Sequence, residues 1–301
     1  MAEPRTTLPH GIYPYVVSPV DARGRVDQEL LERLVDDLVA TGIDGVTPLG
    51  STGEVMYLTP RQRRDVVAAT VRAVDGRVAV VPAVAGFSTH DAVAQATELE
   101  ALGVDGLVVM RQQAFATSEA GVVGYFTAVA RAVSLPLVIY TNPALLGDDL
   151  SVDALARLAE VETIKYLKDA GGDTGRILSV LNRAGDRLEV FSASRHIPLL
   201  VLLLGGVGWM AGPACVVPEA SVELYRRFRA GRLDDALALQ RQLWPINEVF
   251  RTYPLGACIK AALELRGYAV GDPIAPQQPL DAAARERIAQ ALRLADEAIG
   301  R

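Results

Sequence analysis

Cysteine and histidine are both rare in this sequence, and neither forms a motif. The 301 residues include two cysteines and three histidines. Cys215 and Cys258 lie in apolar segments, and their number excludes a disulfide framework, so we expect buried free thiols. The histidines lack the spacing of metal ligands, so we expect no metal site; they are His10, His90 and His196.

A long basic run and an apolar leader are also absent. The formal net charge is −6 and the sequence pI is about 5.2, so nucleic acid and anionic membranes are poor candidate partners. Residues 1–11, MAEPRTTLPHG, contain no apolar core typical of a secretory signal. Together with the unpaired cysteines, this predicts a protein of the reducing cytoplasm.

Uninterrupted hydrophobic runs long enough to cross a membrane are also missing, although one interrupted stretch needs inspection. Residues 197–218 read IPLLVLLLGGVGWMAGPACVVP, which is long enough for a span. Gly205 and Gly206 interrupt the run, and Pro213 interrupts it again. The pattern therefore favours a buried helix end, a turn and a buried strand, and we expect no membrane partner.

Short apolar runs alternate with longer amphipathic stretches along most of the chain, and half of all residues are hydrophobic. Eight such units occur, each of roughly 25 to 30 residues. Continuous apolar strands with helical crossovers indicate a parallel sheet that is covered on both faces. Eight units predict a closed (β/α)8 TIM barrel more readily than an open sheet. The predicted strands are residues 13–18, 45–49, 78–84, 106–110, 136–140, 163–167, 188–192 and 207–212.

Beyond residue 230 the strand pattern ends. Three further amphipathic segments follow, and each has the periodicity of a helix. We therefore divide the chain into a barrel catalytic domain, residues 1–230, and a C-terminal three-helix extension, residues 231–301. The extension is expected to pack on the barrel or on a neighbouring subunit.

In a barrel of this kind the active site lies at the carboxyl ends of the strands. The second predicted strand ends in GSTGE, in which Gly50 and Gly53 flank Ser51 and Thr52. Glycines allow the backbone to turn tightly and to direct N–H groups at an anion such as a carboxylate. The alternative is an ordinary turn between strand and helix.

Two further strand ends carry polar residues. Tyr140 ends the fifth strand, where a tyrosine can relay a proton or simply pack at the rim. Lys165 and Lys168 lie in the sixth strand, and residues three apart on a strand face opposite ways. If Lys168 faces the apolar barrel mouth, desolvation lowers its pKa and frees the amine to attack a carbonyl. The alternative is a lysine paired with a carboxylate.

The order of these features resembles the dihydrodipicolinate synthase and N-acetylneuraminate lyase family of pyruvate-dependent class I aldolases. The resemblance covers nearly the whole chain. It rests on the segments GIYPYVVSPVDARGRVD, GIDGVTPLGSTGE, GVDGLVV, IYTNPALLG, IKYLKDAGGD and GGVGWMAGPACVVPE.

The resemblance implies a role for each of these residues. Lys168 is the Schiff-base lysine, and Tyr140 is the proton relay, joined by Ser51. Thr52 holds the carboxylate of the keto acid with its backbone N–H, and Met210 offers a backbone carbonyl beside it. The covalent iminium implies that no cofactor is needed, and family membership implies a homotetramer built as a dimer of dimers.

The sequence departs from both known branches on the side of the second substrate. Leu145 stands where the synthases have an arginine, and Ala114 stands where they have a tyrosine that reaches a neighbouring subunit. Ala193, Ser194 and Arg195 replace the glycine and two acidic residues with which the lyases bind sugar hydroxyls.

Two arginines are candidate contacts for the second substrate. Arg195, beside Ser194, could bind a carboxylate bidentately or merely pair at the surface. Arg111 and Gln112, after the fourth strand, are similar candidates.

We therefore expect a lyase or aldolase that joins or splits a 2-keto acid and an acidic or hydroxylated aldehyde. One alternative is a dehydratase of a keto-deoxy sugar acid that uses the same iminium. Another is a barrel that binds the keto acid without catalysis.

Overall fold

The computed structural model describes residues 6–143, 150–194 and 196–301. Nine strand segments lie in this part of the chain, and all neighbouring strands run parallel. They are Gly11–Pro14 (β1), Gly45–Val46 (β2), Ala79–Val80 (β3), Ala83–Gly86 (β4), Leu107–Arg111 (β5), Leu137–Thr141 (β6), Ile164–Asp169 (β7), Glu189–Ser192 (β8) and Gly208–Ala211 (β9).

Backbone hydrogen bonds close these segments into a barrel. Seven strands are ordered β1-β9-β8-β7-β6-β5-β4, and β2 pairs with β3. The N–H of Val16 donates to the carbonyl of Thr47 at 3.1 Å, and the N–H of Thr47 donates to Pro14 at 2.9 Å, which joins β1 to β2. Since β3 and β4 follow one another around Pro82, the nine segments form an eight-stranded barrel, as the sequence predicts.

The third predicted strand, residues 78–84, differs in one respect from the observed structure. Ala79–Val80 pairs with β2, whereas Ala83–Gly86 pairs with β5. Pro82 lies between the two segments and has no N–H to donate, so it interrupts the hydrogen-bond ladder. One predicted strand is therefore two short ones that share a position in the barrel wall.

Helices surround the barrel, and seven of the eleven in the described residues begin at a side chain that caps the first turn. In α2, the side chain of Thr59 accepts from the N–H of Gln62 while the Gln62 side chain binds back to the Thr59 backbone. The helices in the described residues are Gln28–Ala40 (α1), Pro60–Val74 (α2), Thr89–Glu100 (α3), Glu119–Ala132 (α4), Val152–Leu158 (α5), Thr174–Ala184 (α6), Pro198–Leu203 (α7), Pro218–Arg229 (α8), Leu233–Thr252 (α9), Leu255–Leu265 (α10) and Ala282–Glu297 (α11).

Aromatic rings fill the barrel interior on the amino-terminal side of the sheet. The ring centroids of Tyr13 and Phe191 are 5.3 Å apart, and those of Tyr166 and Phe191 are 5.5 Å apart. The hydroxyl of Tyr166 accepts from the N–H of Leu8, which precedes β1. This packing leaves space for a ligand at the opposite end, where the strands terminate.

The last three helices pack on one another and on the barrel. α9 contacts both α8 and α11, and its buried residues include Leu239, Leu243 and Phe250. The division of the chain at residue 231 remains a prediction.

The inspected stretch 197–218 forms α7, a turn and β9, as expected. Across the described ranges, no helix is both long and apolar enough to cross a membrane.

Candidate active site

A cavity of about 410 Å³ lies at the carboxyl ends of the strands. Its wall is formed by residues at or after the ends of β2, β5, β6, β7, β8 and β9, by the end of α9 and by the start of α10. Lys168, Tyr140, Ser51 and Thr52 all line it. The structure therefore brings together residues from three segments that lie far apart in the sequence.

Lys168 is buried near the end of β7, with 4% of its surface exposed. Its Nζ lies 4.0 Å from the ring centroid of Tyr15 and 4.2 Å from that of Tyr140. Among the described residues, no carboxylate forms an ion pair with it. Burial without a negative partner disfavours the ammonium form and lowers the pKa of Lys168 to about 7.

Lys165 has a different environment on the same strand. It is half-buried and does not line the cavity. The two lysines are three positions apart, so their side chains leave the strand on opposite faces. The contrast makes Lys165 a natural internal control for Lys168.

The loop that carries Ser51 and Thr52 is unusually bent. Leu49, Gly50 and Glu54 have φ values of 68°, 70° and 55°, and the left-handed region is unfavourable for the two non-glycine residues. A Cβ on Gly50 would lie 2.5 Å from the ring of Tyr15. The close approach to Tyr15 therefore requires glycine at position 50.

The bend leaves two backbone donors available for a ligand. The N–H of Gly53 donates to Leu49 at 3.2 Å and that of Glu54 donates to Ser51 at 3.3 Å. Within the described residues, the N–H groups of Ser51 and Thr52 donate to no protein acceptor. Two adjacent unpaired N–H groups beside a cavity suit an anion such as a carboxylate.

Tyr140 is paired in register with Lys168 on the neighbouring strand, and 5% of its surface is exposed. Its hydroxyl accepts a hydrogen bond of 2.8 Å from Nδ2 of Asn142. The sequence analysis missed Asn142, although it follows Tyr140 by only two residues. Asn142 and Tyr140 therefore form a hydrogen-bonded pair in the cavity wall.

The sequence analysis also missed an ion pair, Glu54 with Lys260, which anchors the same loop. Oε2 of Glu54 lies 2.7 Å from Nζ of Lys260, and the two side chains are 0% and 1% exposed. Oε1 accepts from the backbone N–H of Ile274 at 2.7 Å and from Nε2 of Gln277 at 2.6 Å. The available signals were a lysine within the apolar segment LGACIKAAL and an acid directly after the glycine loop.

The model of the dihydrodipicolinate synthetase family matches residues 8–295 of the chain. This range includes every barrel strand and each of the cavity residues named above. The chain belongs to the dihydrodipicolinate synthetase family.

Individual relatives of this family member agree with the assignment. A 4-hydroxy-tetrahydrodipicolinate synthase of Acidiphilium cryptum is 32% identical over 283 residues, which cover 94% of this chain and 97% of that protein. An uncharacterized DapA-like lyase of Halobacterium salinarum is 33% identical over 272 residues, which cover 90% of this chain and 89% of that protein. Both alignments extend over nearly the full length of each partner.

Solved structures give the same result for the fold. The crystal structure of a dihydrodipicolinate synthase from Agrobacterium tumefaciens superimposes with a TM-score of 0.90 at 30% identity, covering 95% of this chain and 98% of that one. The family and the barrel fold that the sequence predicted are thereby confirmed.

The other predicted contacts of this dihydrodipicolinate synthetase family member lie in several places. Ser194 lines the cavity, and its carbonyl accepts from Nδ2 of Asn247 at 3.1 Å. Met210 is fully buried in β9, and the cavity reaches Gly212, two residues further along. Gly50 and Gly53 shape the loop without lining the cavity. Arg195 and Leu145 lie outside the described residues.

Of the two candidates at the end of β5, one lines the cavity and the other supports it. Gln112 lines the cavity, whereas Arg111 does not. The guanidinium of Arg111 donates to the carbonyl of Gln112 at 3.4 Å and to Oε1 of Gln113 at 2.8 Å. Ala114, which stands in the place of the synthases' tyrosine, is exposed.

The C-terminal helices supply part of the cavity wall, which the sequence analysis did not foresee. Asn247, Phe250 and Arg251 of α9 line the cavity, and so does Tyr253 immediately after it. No local sequence pattern identifies these residues, because their position depends on how α9 docks on the barrel.

Among the described residues, no group of three or more His, Cys, Asp or Glu side chains is placed to hold a metal ion.

Proposed function

We propose that Lys168 forms an iminium with pyruvate or a related 2-keto acid, and that the enzyme then makes or breaks a carbon–carbon bond with an aldehyde. The observation that carries this proposal is the buried Lys168, whose pKa is lowered to about 7, beside two unpaired N–H groups. Membership of the family makes the chain a carbon–carbon lyase. The dehydratase and the non-catalytic barrel are not favoured, since the relatives are named synthases and lyases.

Each step then uses a residue of the cavity. The neutral amine of Lys168 attacks the keto carbon, and loss of water gives the iminium. The iminium withdraws electrons, so a proton leaves C3 to give an enamine, which attacks the aldehyde carbon. Hydrolysis of the new iminium releases the product and restores the amine. In the reverse direction the same steps cleave the bond.

The remaining roles follow from position. Tyr140 transfers protons to and from C3, the leaving hydroxyl and the aldehyde oxygen, and Ser51, which lines the same cavity, joins it. The Ser51 and Thr52 N–H groups bind the carboxylate of the keto acid. The role of Met210 as a carbonyl contact remains a prediction.

We further propose that the reaction uses no cofactor, because the iminium is itself the electron sink. The free, buried thiols of Cys215 and Cys258 support a cytoplasmic location. The homotetramer, built as a dimer of dimers, remains a prediction from the resemblance.

Exchange of the C3 protons of pyruvate with deuterium tests the enamine without any knowledge of the aldehyde. We expect the enzyme in D2O to deuterate the methyl group, as followed by proton NMR. Tyr140→Phe should slow this exchange by about 10²-fold or more, because it removes the acid–base group. An exchange rate equal to that of buffer would contradict the proposal.

The exchange should also depend on pH in a defined direction. Only the neutral amine attacks, and the pKa of Lys168 is about 7, so the rate at low pyruvate should rise with pH and level off above about 8. A pH–rate profile measured from pH 5.5 to 9.5 checks this. A rate still rising above pH 9 would show that the lysine has an ordinary pKa.

A further inference from the structure

Two amide side chains in the cavity wall each have a buried polar atom without a partner in the described residues. These atoms are Oδ1 of Asn142 and Nε2 of Gln112, and both residues line the cavity. Their exposed fractions are 9% and 7%. Buried polar groups in proteins are almost always paired, and here a partner for each atom can come from a ligand in the cavity.

The amide of Asn142 has two ends with different surroundings. Its Nδ2 donates to the hydroxyl of Tyr140 at 2.8 Å, which leaves Oδ1 in need of a donor. If the amide were turned over, its oxygen would accept from Tyr140 and its NH2 would need an acceptor. A hydroxyl group satisfies either arrangement because it both donates and accepts, whereas a carboxylate only accepts.

The charges of the cavity favour the same kind of ligand. In the described part of the wall, the charged residues are Glu54, Lys168 and Arg251. Glu54 is bound to Lys260, Lys168 is the proposed nucleophile, and Arg251 is exposed. Besides Lys168, the described cation in the wall is thus Arg251 in its exposed part, and the buried wall presents amides to the second substrate.

We propose that Gln112 and Asn142 bind a hydroxyl group of the second substrate, which is therefore a hydroxylated aldehyde. This inference rests on the proposed function and specifies its second substrate. Because Asn142 also contacts Tyr140, the substrate hydroxyl is linked to the group that transfers the proton. Loss of that hydroxyl should lower kcat as well as raise KM.

The test compares two aldehydes of equal chain length, glyceraldehyde and propanal, with pyruvate as donor. We expect kcat/KM to be about 10²-fold higher for glyceraldehyde, because a site built to bind a hydroxyl rejects an analogue that lacks it. Gln112→Leu should reduce this preference about tenfold or more. The matched control is Gln113→Leu, the adjacent glutamine outside the cavity, which should leave the preference unchanged.

The outcomes separate the two proposals. Equal kcat/KM values for the two aldehydes, or a preference for succinate semialdehyde, would overturn the hydroxyl site while pyruvate exchange stays intact. Absence of pyruvate exchange would overturn the proposed function and this inference with it. The comparison of aldehydes uses the unaltered enzyme, so it decides the question even if a variant is unstable.

Discussion

Lys168→Met is expected to lower turnover by at least about 10³-fold, the scale seen when a covalent nucleophile is removed. Methionine has a similar length and remains apolar, so it fills the space between the rings of Tyr15 and Tyr140 but forms no iminium. Steady-state assays with saturating pyruvate measure the loss. The matched control is Lys165→Met on the same strand, for which we expect a change smaller than about threefold.

The same substitution should stabilise the fold in a pH-dependent manner. The pKa of Lys168 is lowered from 10.5 to about 7, so between these values the unfolded chain binds more protons than the folded one. This penalty grows as the pH falls from 10.5 towards 7, and Lys168→Met removes it. Thermal unfolding should therefore show a higher Tm for the variant at pH 7 and almost no difference near pH 10.5. A variant that loses both stability and activity at pH 7 would contradict this account.

Lys260→Met is expected to destabilise the protein by about 3–5 kcal/mol, because it leaves the carboxylate of Glu54 buried without its cation. Glu54 also has a left-handed backbone conformation, which its contacts hold in place. Loss of Lys260 should therefore loosen the loop of Ser51 and Thr52 and raise KM for pyruvate. Urea unfolding measures the stability, and initial rates measure KM.

Two controls show whether burial is the reason for this effect. The double variant Glu54→Gln with Lys260→Met removes both charges and should recover much of the stability, since Gln277 and Ile274 can still bind a neutral amide. Arg183→Met breaks an exposed pair with Asp153 and should cost less than about 1 kcal/mol. A cost for Lys260→Met as small as that for Arg183→Met would show that the buried pair is unimportant.

The residues that the sequence predicted for the cavity share one property. Ser51, Thr52, Tyr140 and Lys168 each follow or end a strand, and the carboxyl ends of parallel strands meet at one rim. Their proximity therefore follows from the order of strands alone. The barrel itself was predicted from the alternation of apolar runs and amphipathic stretches. The interruption at Pro82 was not predicted.

The residues that were missed depend on contacts that no local pattern encodes. Asn247 and Arg251 reach the cavity because α9 docks on the barrel, and Lys260 meets Glu54 across more than two hundred residues. Asn142 lies beside Tyr140 in the sequence, yet its hydrogen bond depends on the path of the chain after β6. Apolar periodicity predicts which face of a helix is buried but not the element against which it packs.

Covalent trapping of pyruvate on the enzyme tests the central claim most directly. The protein is incubated with pyruvate and borohydride, and the intact mass and the modified peptide are recorded. The proposal predicts one reduced pyruvate adduct, located on Lys168 and absent in Lys168→Met. An adduct on Lys165 or Lys260, or a folded enzyme with no adduct at all, would contradict it.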